Sequence, residues 1–418
     1  MRKFIIVIFY LIVQILYVTS RTQKTALDSQ ENIRTWQNIR AFFSSINTLP
    51  ARSQKILQRA RNARRLQDRV PDYVPFPCDV KGGRSPVIPN SVHKLRPGDI
   101  DLIGSLGDSL TAGLGIFATK LVELLTENRG VSATGGGQGS WREFLTIPNI
   151  LKEFNPNLIG YAVSDSLSFQ SGSKFNIAES GAISGDMPFM TEQLIRRIKN
   201  DSRVDIEKHW KLISLMIGAN DFCSEMCYLQ SPWTIVKNHR EDLLETLRIL
   251  RDNLPRTLVN IIPPPHLKTL FNINNKPPIC ELTTSFSCPC IFGLRWRNQH
   301  EVFYEIMTRF QNIEEEIAQY SEFQRNDFAV IVQPFTTNLS FPIGKDGNFD
   351  LSYLSADCFH ISQKANARCT NAIWNNMFLP PDEKIRDWDE LFKNFACPTT
   401  KTPYIATWQN SQKKFGNY

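Results

Sequence analysis

Five short apolar runs, at residues 100–103, 175–178, 212–217, 257–262 and 328–332, constrain this chain more than any other feature. Each ends on a loop signal: Gly104 through Gly107, Ser180-Gly181, Gly218-Ala219-Asn220, Pro263-Pro264-Pro265 and Gln333-Pro334. Continuous apolar runs of this length suit parallel strands buried on both faces, because a strand with one wet face would alternate apolar and polar residues. Helical periodicity fills the gaps, at 190–199, 242–253 and 299–320. Strand–helix alternation predicts a doubly wound α/β sheet, whose ligands sit at the carboxyl ends of the strands. No repeat at solenoid periods competes with that reading. The glycine-rich stretch 134–139 (TGGGQG) reads as a flexible loop near the site entrance. It lacks the glycine spacing and preceding strand of a phosphate-binding loop, so no nucleotide role is expected.

Arg2 and Lys3 precede an apolar run over 4–18 that Gln14 interrupts. The run falls short of the ~20 residues a membrane span needs. Residues 1–20 are therefore expected to form a cleaved signal peptide, with an uncleaved anchor as the alternative. The protein is expected to be secreted, or membrane-associated if the anchor persists, and the polar tail 399–418 offers no hydrophobic signal for a lipid anchor.

The net charge of +7 is unevenly spread. Residues 1–69 hold 13 Lys and Arg against 3 Asp and Glu, leaving 35 basic and 38 acidic residues to the remainder. A slightly acidic body provides no basic footprint for nucleic acid. Within 51–69, Ile56, Leu57, Ala60 and Ala63 recur at helical spacing. This basic amphipathic stretch suits a solvated linker, a removable pro-segment or a membrane-docking helix. Residues 21–76 are accordingly set apart as a basic N-terminal segment. Nine cysteines behind a signal peptide imply an oxidising destination, disulfides and one thiol left over. Cys223 and Cys227 lack the further ligands of a zinc site, so disulfide chemistry is expected of them and no metal. Asn200-Asp201-Ser202 and Asn338-Leu339-Ser340 are acceptor sequences for N-glycosylation.

Chemistry concentrates at the strand ends. Ile103-Gly104-Ser105-Leu106-Gly107-Asp108-Ser109 puts a serine directly after the first run. Its hydroxyl is a poor nucleophile at neutral pH and needs a base within hydrogen-bond reach. The competing reading is an Asp-Ser helix N-cap. Asn220 follows the third run, where a side-chain amide can donate to an oxyanion. Asp357-Cys358-Phe359-His360 spaces a carboxylate and an imidazole so that one ring nitrogen is held and the other faces the serine. His360 is the one histidine of six that sits three residues after an aspartate.

These residues resemble the GDSL, or SGNH-hydrolase, family, and within it the phospholipase B group. The likeness runs from about Pro77 to Pro398, taking in stretches beyond the motifs such as Ser91 through Pro97 and 145–156 (LTIPNILKEFNP). It implies a three-layer α/β/α flavodoxin-like fold with a five-stranded parallel sheet, and ester hydrolysis without metal or cofactor. Ser109 matches the family's nucleophile, and Asp357 with His360 the dyad that completes the triad. The oxyanion hole would combine the amides of Ser109 and Gly181 with the Asn220 side chain. Gly181 fits by its place five residues after Asn176, although Gly185 competes. Ile361 replaces the proline that usually follows the histidine, and Glu179-Ser180 replaces a Val-Pro pair. Cys369 has no counterpart in the group and becomes the candidate free thiol. The resemblance points to phospholipid or lysophospholipid substrates and transient contact with a lipid surface. Alternatives are a lipase or carboxylesterase acting on acylglycerols or retinyl-type esters, and a secreted lipid binder without activity.

Overall fold

The computed structural model describes residues 50–411 except 274–275 and 345–346, together with a few isolated residues between 35 and 45. The expected signal peptide and the last seven residues lie outside the described residues. In chain order the principal elements are α1 (Pro50–Asn62), β1 (Ile100–Gly107), α2 (Ser109–Ala112), α3 (Ile147–Phe154), α4 (Met187–Asn200), β2 (Trp210–Met216) and α5 (Thr234–Asn253). Then follow β3 (Thr257–Ile261), α6 (Lys268–Phe271), α7 (Pro278–Ser287), α8 (His300–Ala318), β4 (Phe328–Val332) and α9 (Gln363–Asn376).

The four strands pair in parallel in the order β1-β2-β3-β4. Both faces are apolar, as the unbroken runs require, and the period of two divides them cleanly. Trp210, Leu212, Leu258, Ala329 and Ile331 point to the face covered by α3 and α9. Ile213, Leu215, Val259, Ile261, Phe328 and Val330 point to the face covered by α4, α5 and α8. The result is the three-layer α/β/α fold expected.

The strand count is corrected from five to four. Residues 175–178, read as a strand, lie parallel to β1 on its outer side but make only the isolated bridge Ser105↔Asn176. The outer edge of β1 is shared by two separate pieces of chain. Ile159 pairs at the level of Leu102, and the chain then leaves and returns at Phe175 to take up the level of Ser105. Neither piece is long enough for a ladder. Topologically, the chain crosses from this outer edge to β2 on the other side of β1, so the strand order reverses at β1. A doubly wound sheet opens its ligand crevice at that reversal, beyond the carboxyl ends of the strands.

Two other expectations change. The glycine-rich stretch is largely buried rather than an open loop: residues 134–137 are buried, and a Cβ on Gly137 would stand 2.2 Å from the Tyr161 ring. The described part of the basic segment, residues 50–76, also packs on the body of the fold. Ile56 and Ala60 of α1 are buried against Ile116, Phe117 and Val131, and Arg59 pairs with Glu123. Further on, Gln67 is buried and saturated. Its side chain donates to the carbonyls of Trp141 and Arg142 and accepts from Leu145 N and Gln363 Nε2. The amphipathic pattern of α1 was legible, but its partner surface was not.

Eight cysteines form four disulfides, Cys78–Cys397, Cys223–Cys288, Cys227–Cys290 and Cys280–Cys358. Cys369 is free, as expected. Three of the bridges converge on residues 280–290, a region with a core of its own around Phe222, Ile291, Phe303 and Phe310. They close loops of 63 to 78 residues. Loops of that length are each worth about 4 kcal/mol in the chain-entropy account. Among the described residues, no helix is long and apolar enough to cross a membrane.

Candidate active site

β1 delivers the serine. Gly107 ends the strand at φ +149, and a Cβ there would meet Met216 O at 2.3 Å, so only glycine lets β1 and β2 close up beneath the turn. Asp108 is the N-cap of α2: its carboxylate accepts from Leu110 N at 2.9 Å. Asp108 does the capping, which leaves the Ser109 hydroxyl for His360 Nε2, 2.8 Å away. Asp108's other oxygen is buried without a partner, and burial pushes its pKa up to about 6.

His360 is held by a compact turn. His360 Nδ1 lies 2.6 Å from Asp357 Oδ2, while Asp357 Oδ1 accepts the backbone amides of Phe359 and His360 at 3.2 and 3.0 Å. Burial alone would raise the Asp357 pKa, but the charge of His360 and these hydrogen bonds outweigh it and hold the carboxylate ionised. For His360 the balance is the mirror image. Burial would lower its pKa, and the attraction of Asp357, aided by Asp108, raises it above 6.5. The turn itself is fixed on three sides. Cys358, at φ +57, is bridged to Cys280; Thr283 Oγ1 of α7 donates to Asp357 O; and Ser355 Oγ donates to Gly115 O.

Asn220 follows β2, and its Nδ2 donates to Ala182 O at 2.9 Å. A side-chain amide nitrogen carries two hydrogens, so this bond anchors Asn220 and leaves the second for the cavity it lines. Next in sequence, the buried Asp221 accepts Ser184 N, and Ser184 Oγ bonds His239 Nδ1 at 2.9 Å. The stretch 182–184 is thereby fastened to the end of β2. Its other side follows β1, since Glu179 N donates to Gly107 O. Gly181 emerges between these two attachments, exposed and at φ +88. Gly185 instead lies within the turn Ser184–Asp186. A buried ion pair that sequence reading missed braces this edge. Arg129 bonds Glu127 at 2.5 Å and donates to the carbonyls of Ser166, Asn176 and Ala178. An arginine and glutamate two apart carry no local signal of burial, because their partners lie some 40 residues away.

A cavity opens beside Ser109, walled by Met216, Ile262, Leu267, Leu270, Phe335 and Leu339 among others. Phe359 and Ile361 flank the base and join the wall, as does one face of α9 through Asn366, Cys369 and Ile373. Among the described residues, no Asp, Glu, Lys or Arg lines it. Among the described residues there is also no cluster of three or more His, Cys, Asp or Glu able to hold a metal.

A hydroxyl, an imidazole and a carboxylate bonded in series at the crevice of a parallel sheet is the arrangement that acyl transfer through a serine requires. The family model described as GDSL-like Lipase/Acylhydrolase matches residues 103–373, from within β1 to within α9. The chain belongs to that family of lipid ester hydrolases. Similar proteins include the membrane-associated phospholipase B1 of Homo sapiens, 33% identical over 375 residues that cover 87% of this chain and 25% of the human protein. The Mus musculus protein of that name is 34% identical over 336 residues, covering 78% of this chain and 22% of its own. The chain thus spans about a quarter of the length of these relatives. An extracellular lipase of Streptomyces rimosus, 14% identical with a TM-score of 0.29 over 66% of this chain and 98% of that one, is too distant to bear on the site.

Proposed function

We propose that this protein hydrolyses fatty acyl esters of phospholipids and lysophospholipids outside the cell, through an acyl-enzyme on Ser109. The observation that carries the reading is the hydrogen-bonded series Ser109–His360–Asp357 opening into a cavity with no charged wall. His360 takes the Ser109 proton as the oxygen attacks the acyl carbonyl. Asp357 holds the ring and stabilises the imidazolium that forms. The developing oxyanion rests on the amides of Ser109 and Gly181 and the free Nδ2 hydrogen of Asn220. His360 then protonates the departing alcohol, and water repeats the sequence on the acyl-enzyme. An apolar cavity suits the acyl chain and leaves a charged head group at the mouth. Four disulfides support an extracellular or lumenal setting.

Fluorophosphonate labelling tests the assignment. The reagent should modify Ser109, and Ser109→Ala should abolish labelling and hydrolysis together. Folded wild-type protein that binds lipid yet stays unlabelled would leave a lipid binder in place of an enzyme. Product analysis on defined phospholipids, lysophospholipids and triacylglycerols separates phospholipase from broader lipase activity. Release from triacylglycerol alone would overturn the phospholipid reading.

A further inference from the structure

The helix that fastens the catalytic turn wears an apolar stripe on its outside. Ile279, Leu282 and Phe286 of α7 are 47%, 68% and 80% exposed. At 100° per residue they fall within an arc of about 60°, while the buried Cys280 and Thr284 point elsewhere. Leu294, 76% exposed, stands two residues past Phe292, whose carbonyl accepts from Ser285 of the same helix. Three large exposed apolar side chains on one helix face, with the exposed Leu294 following in the next turn, are the kind of surface that marks a contact site.

Behind the patch, the buried Phe292 connects α7 to the cavity wall. Phe292 lies against Phe271 on one side and Phe359 on the other, at ring separations of 6.2 and 6.5 Å. Phe359 is part of the cavity wall, and Phe271 is 37% exposed beside the wall residue Leu270. The charge around it also departs from that of the body. Residues 268–302 hold four Lys and Arg against two Glu, whereas residues 70–418 as a whole are slightly acidic. Arg295 and Arg297 are exposed and form no salt bridge among the described residues. Apolar side chains on one face with arginines at the margin are the chemistry of a helix lying in the plane of an anionic lipid surface.

We infer that α7 and the Leu294 turn dock this protein on lipid surfaces containing anionic phospholipid, placing the cavity mouth at the interface from which substrate enters. The inference rests on the lipid-hydrolase reading above and adds where the lipid surface is met. The bridge Cys280–Cys358 and the bond from Thr283 to Asp357 O make the docking helix and the catalytic turn one piece. Docking through α7 therefore orients the turn along with it.

The test uses the full chain, wild type and the double variant Leu282→Asp, Phe286→Asp. Co-sedimentation is measured with vesicles of phosphatidylcholine alone and of phosphatidylcholine mixed with phosphatidylserine. Hydrolysis of a soluble short-chain ester is measured in parallel. The wild type should bind the mixed vesicles more tightly, and the variant should bind them on the order of 10-fold or more weakly, since two buried side chains are lost from the interface. Both proteins should cleave the soluble ester equally, so a loss there would report damage to the site rather than to docking. Arg295→Glu with Arg297→Glu should remove the preference for phosphatidylserine. Equal vesicle binding by wild type and the Asp variant overturns the proposal, and so does a wild-type dimer that the variant converts to monomer. Absence of soluble-ester cleavage by the wild type would strike the hydrolase reading instead, while sedimentation still reads docking.

Discussion

The two halves of the site are held by different means. Ser109 and Asn220 follow the ends of adjacent strands, β1 and β2, whose parallel ladder and apolar faces fix them from below. Asp357 and His360 stand well past β4, on a turn closed by the single antiparallel bridge Leu354↔Ile361, with Ser355 N donating to His360 O. Around that bridge their geometry is held by a disulfide, two side-chain bonds to neighbouring carbonyls, and the two amides that Asp357 gathers. The strand-end half belongs to the fold and should tolerate local damage. The turn-borne half is an assembly of separate fastenings, each of which can be removed singly.

The most damaging test replaces the centre of that assembly. Asp357→Asn keeps the shape but removes the charge and changes which protons face the ring. A loss of about 10³- to 10⁴-fold in kcat is expected by analogy with other triads. The pH profile should move as well. With neutral His360 as the proposed base, and Asp357 holding its pKa above the ordinary imidazole range, activity should climb with pH through a point above that range. In the variant burial is opposed only by the weaker attraction of Asp108, so the acid limb should move to lower pH. A rate loss with an unmoved limb would mean that Asp357 serves only to shape the turn.

The same division explains what could be read in advance. Strands buried on both faces advertise themselves as unbroken apolar runs, and 328–332 coincides with β4. The residues at their ends followed directly, together with the short-range pair Asp357 and His360. Residues 175–178 have the composition of a strand, yet whether such a run forms a ladder depends on how much partner edge is free. Ile159 had taken part of it. Disulfide partners 63 to 78 residues apart leave no periodicity at all. Nor does the seat of α1, because amphipathic spacing reports that a face is covered without naming its cover.

On the strand-end side, Asn220→Ala should lower kcat by roughly 100- to 1,000-fold with little change in KM, the usual loss for one oxyanion donor. The Ala182 carbonyl would lose its partner, but β2 keeps the backbone in place. A change confined to KM would assign Asn220 to substrate binding.

Two disulfide variants set the halves against each other. Cys280→Ser with Cys358→Ser frees the turn that carries the base. Small displacements of a catalytic group are costly, so a fall of about 10- to 100-fold in kcat on a soluble ester is expected. Cys227→Ser with Cys290→Ser removes a bridge of similar span from the same subregion. It should lower the melting temperature comparably yet leave kcat nearly unchanged, because Asn220 depends on β2 and Ala182 rather than on that bridge. Equal rate losses in both variants would erase the proposed division.

A small effect on rate is also expected far from the chemistry, at Gln67. This residue stands in the basic segment that composition alone set apart from the catalytic unit, yet it reaches the turn-borne half from behind. Its amide N donates to Gln363 Oε1 at 2.7 Å, its side chain accepts from Gln363 Nε2 at 3.0 Å, and nearby Arg65 O accepts from Lys364 N. Gln363 opens α9 only three residues after His360, and its own amide bonds Ile116 O. Gln67→Ala strands the amide of Leu145 and the Gln363 Nε2 without their partner in a buried site, while the backbone bond to Gln363 Oε1 stays. Unsatisfied buried groups of this kind cost about 1–3 kcal/mol each. A clear drop in melting temperature should therefore accompany a kcat within a few-fold of wild type, because Asp357 and the bridge to Cys280 still hold the ring. If Gln67→Ala is as stable as wild type, residues before Pro77 are a removable appendage after all. If it is stable but slow, the turn leans on α9 more than on its disulfide, and the fastening of the catalytic base must be reassigned.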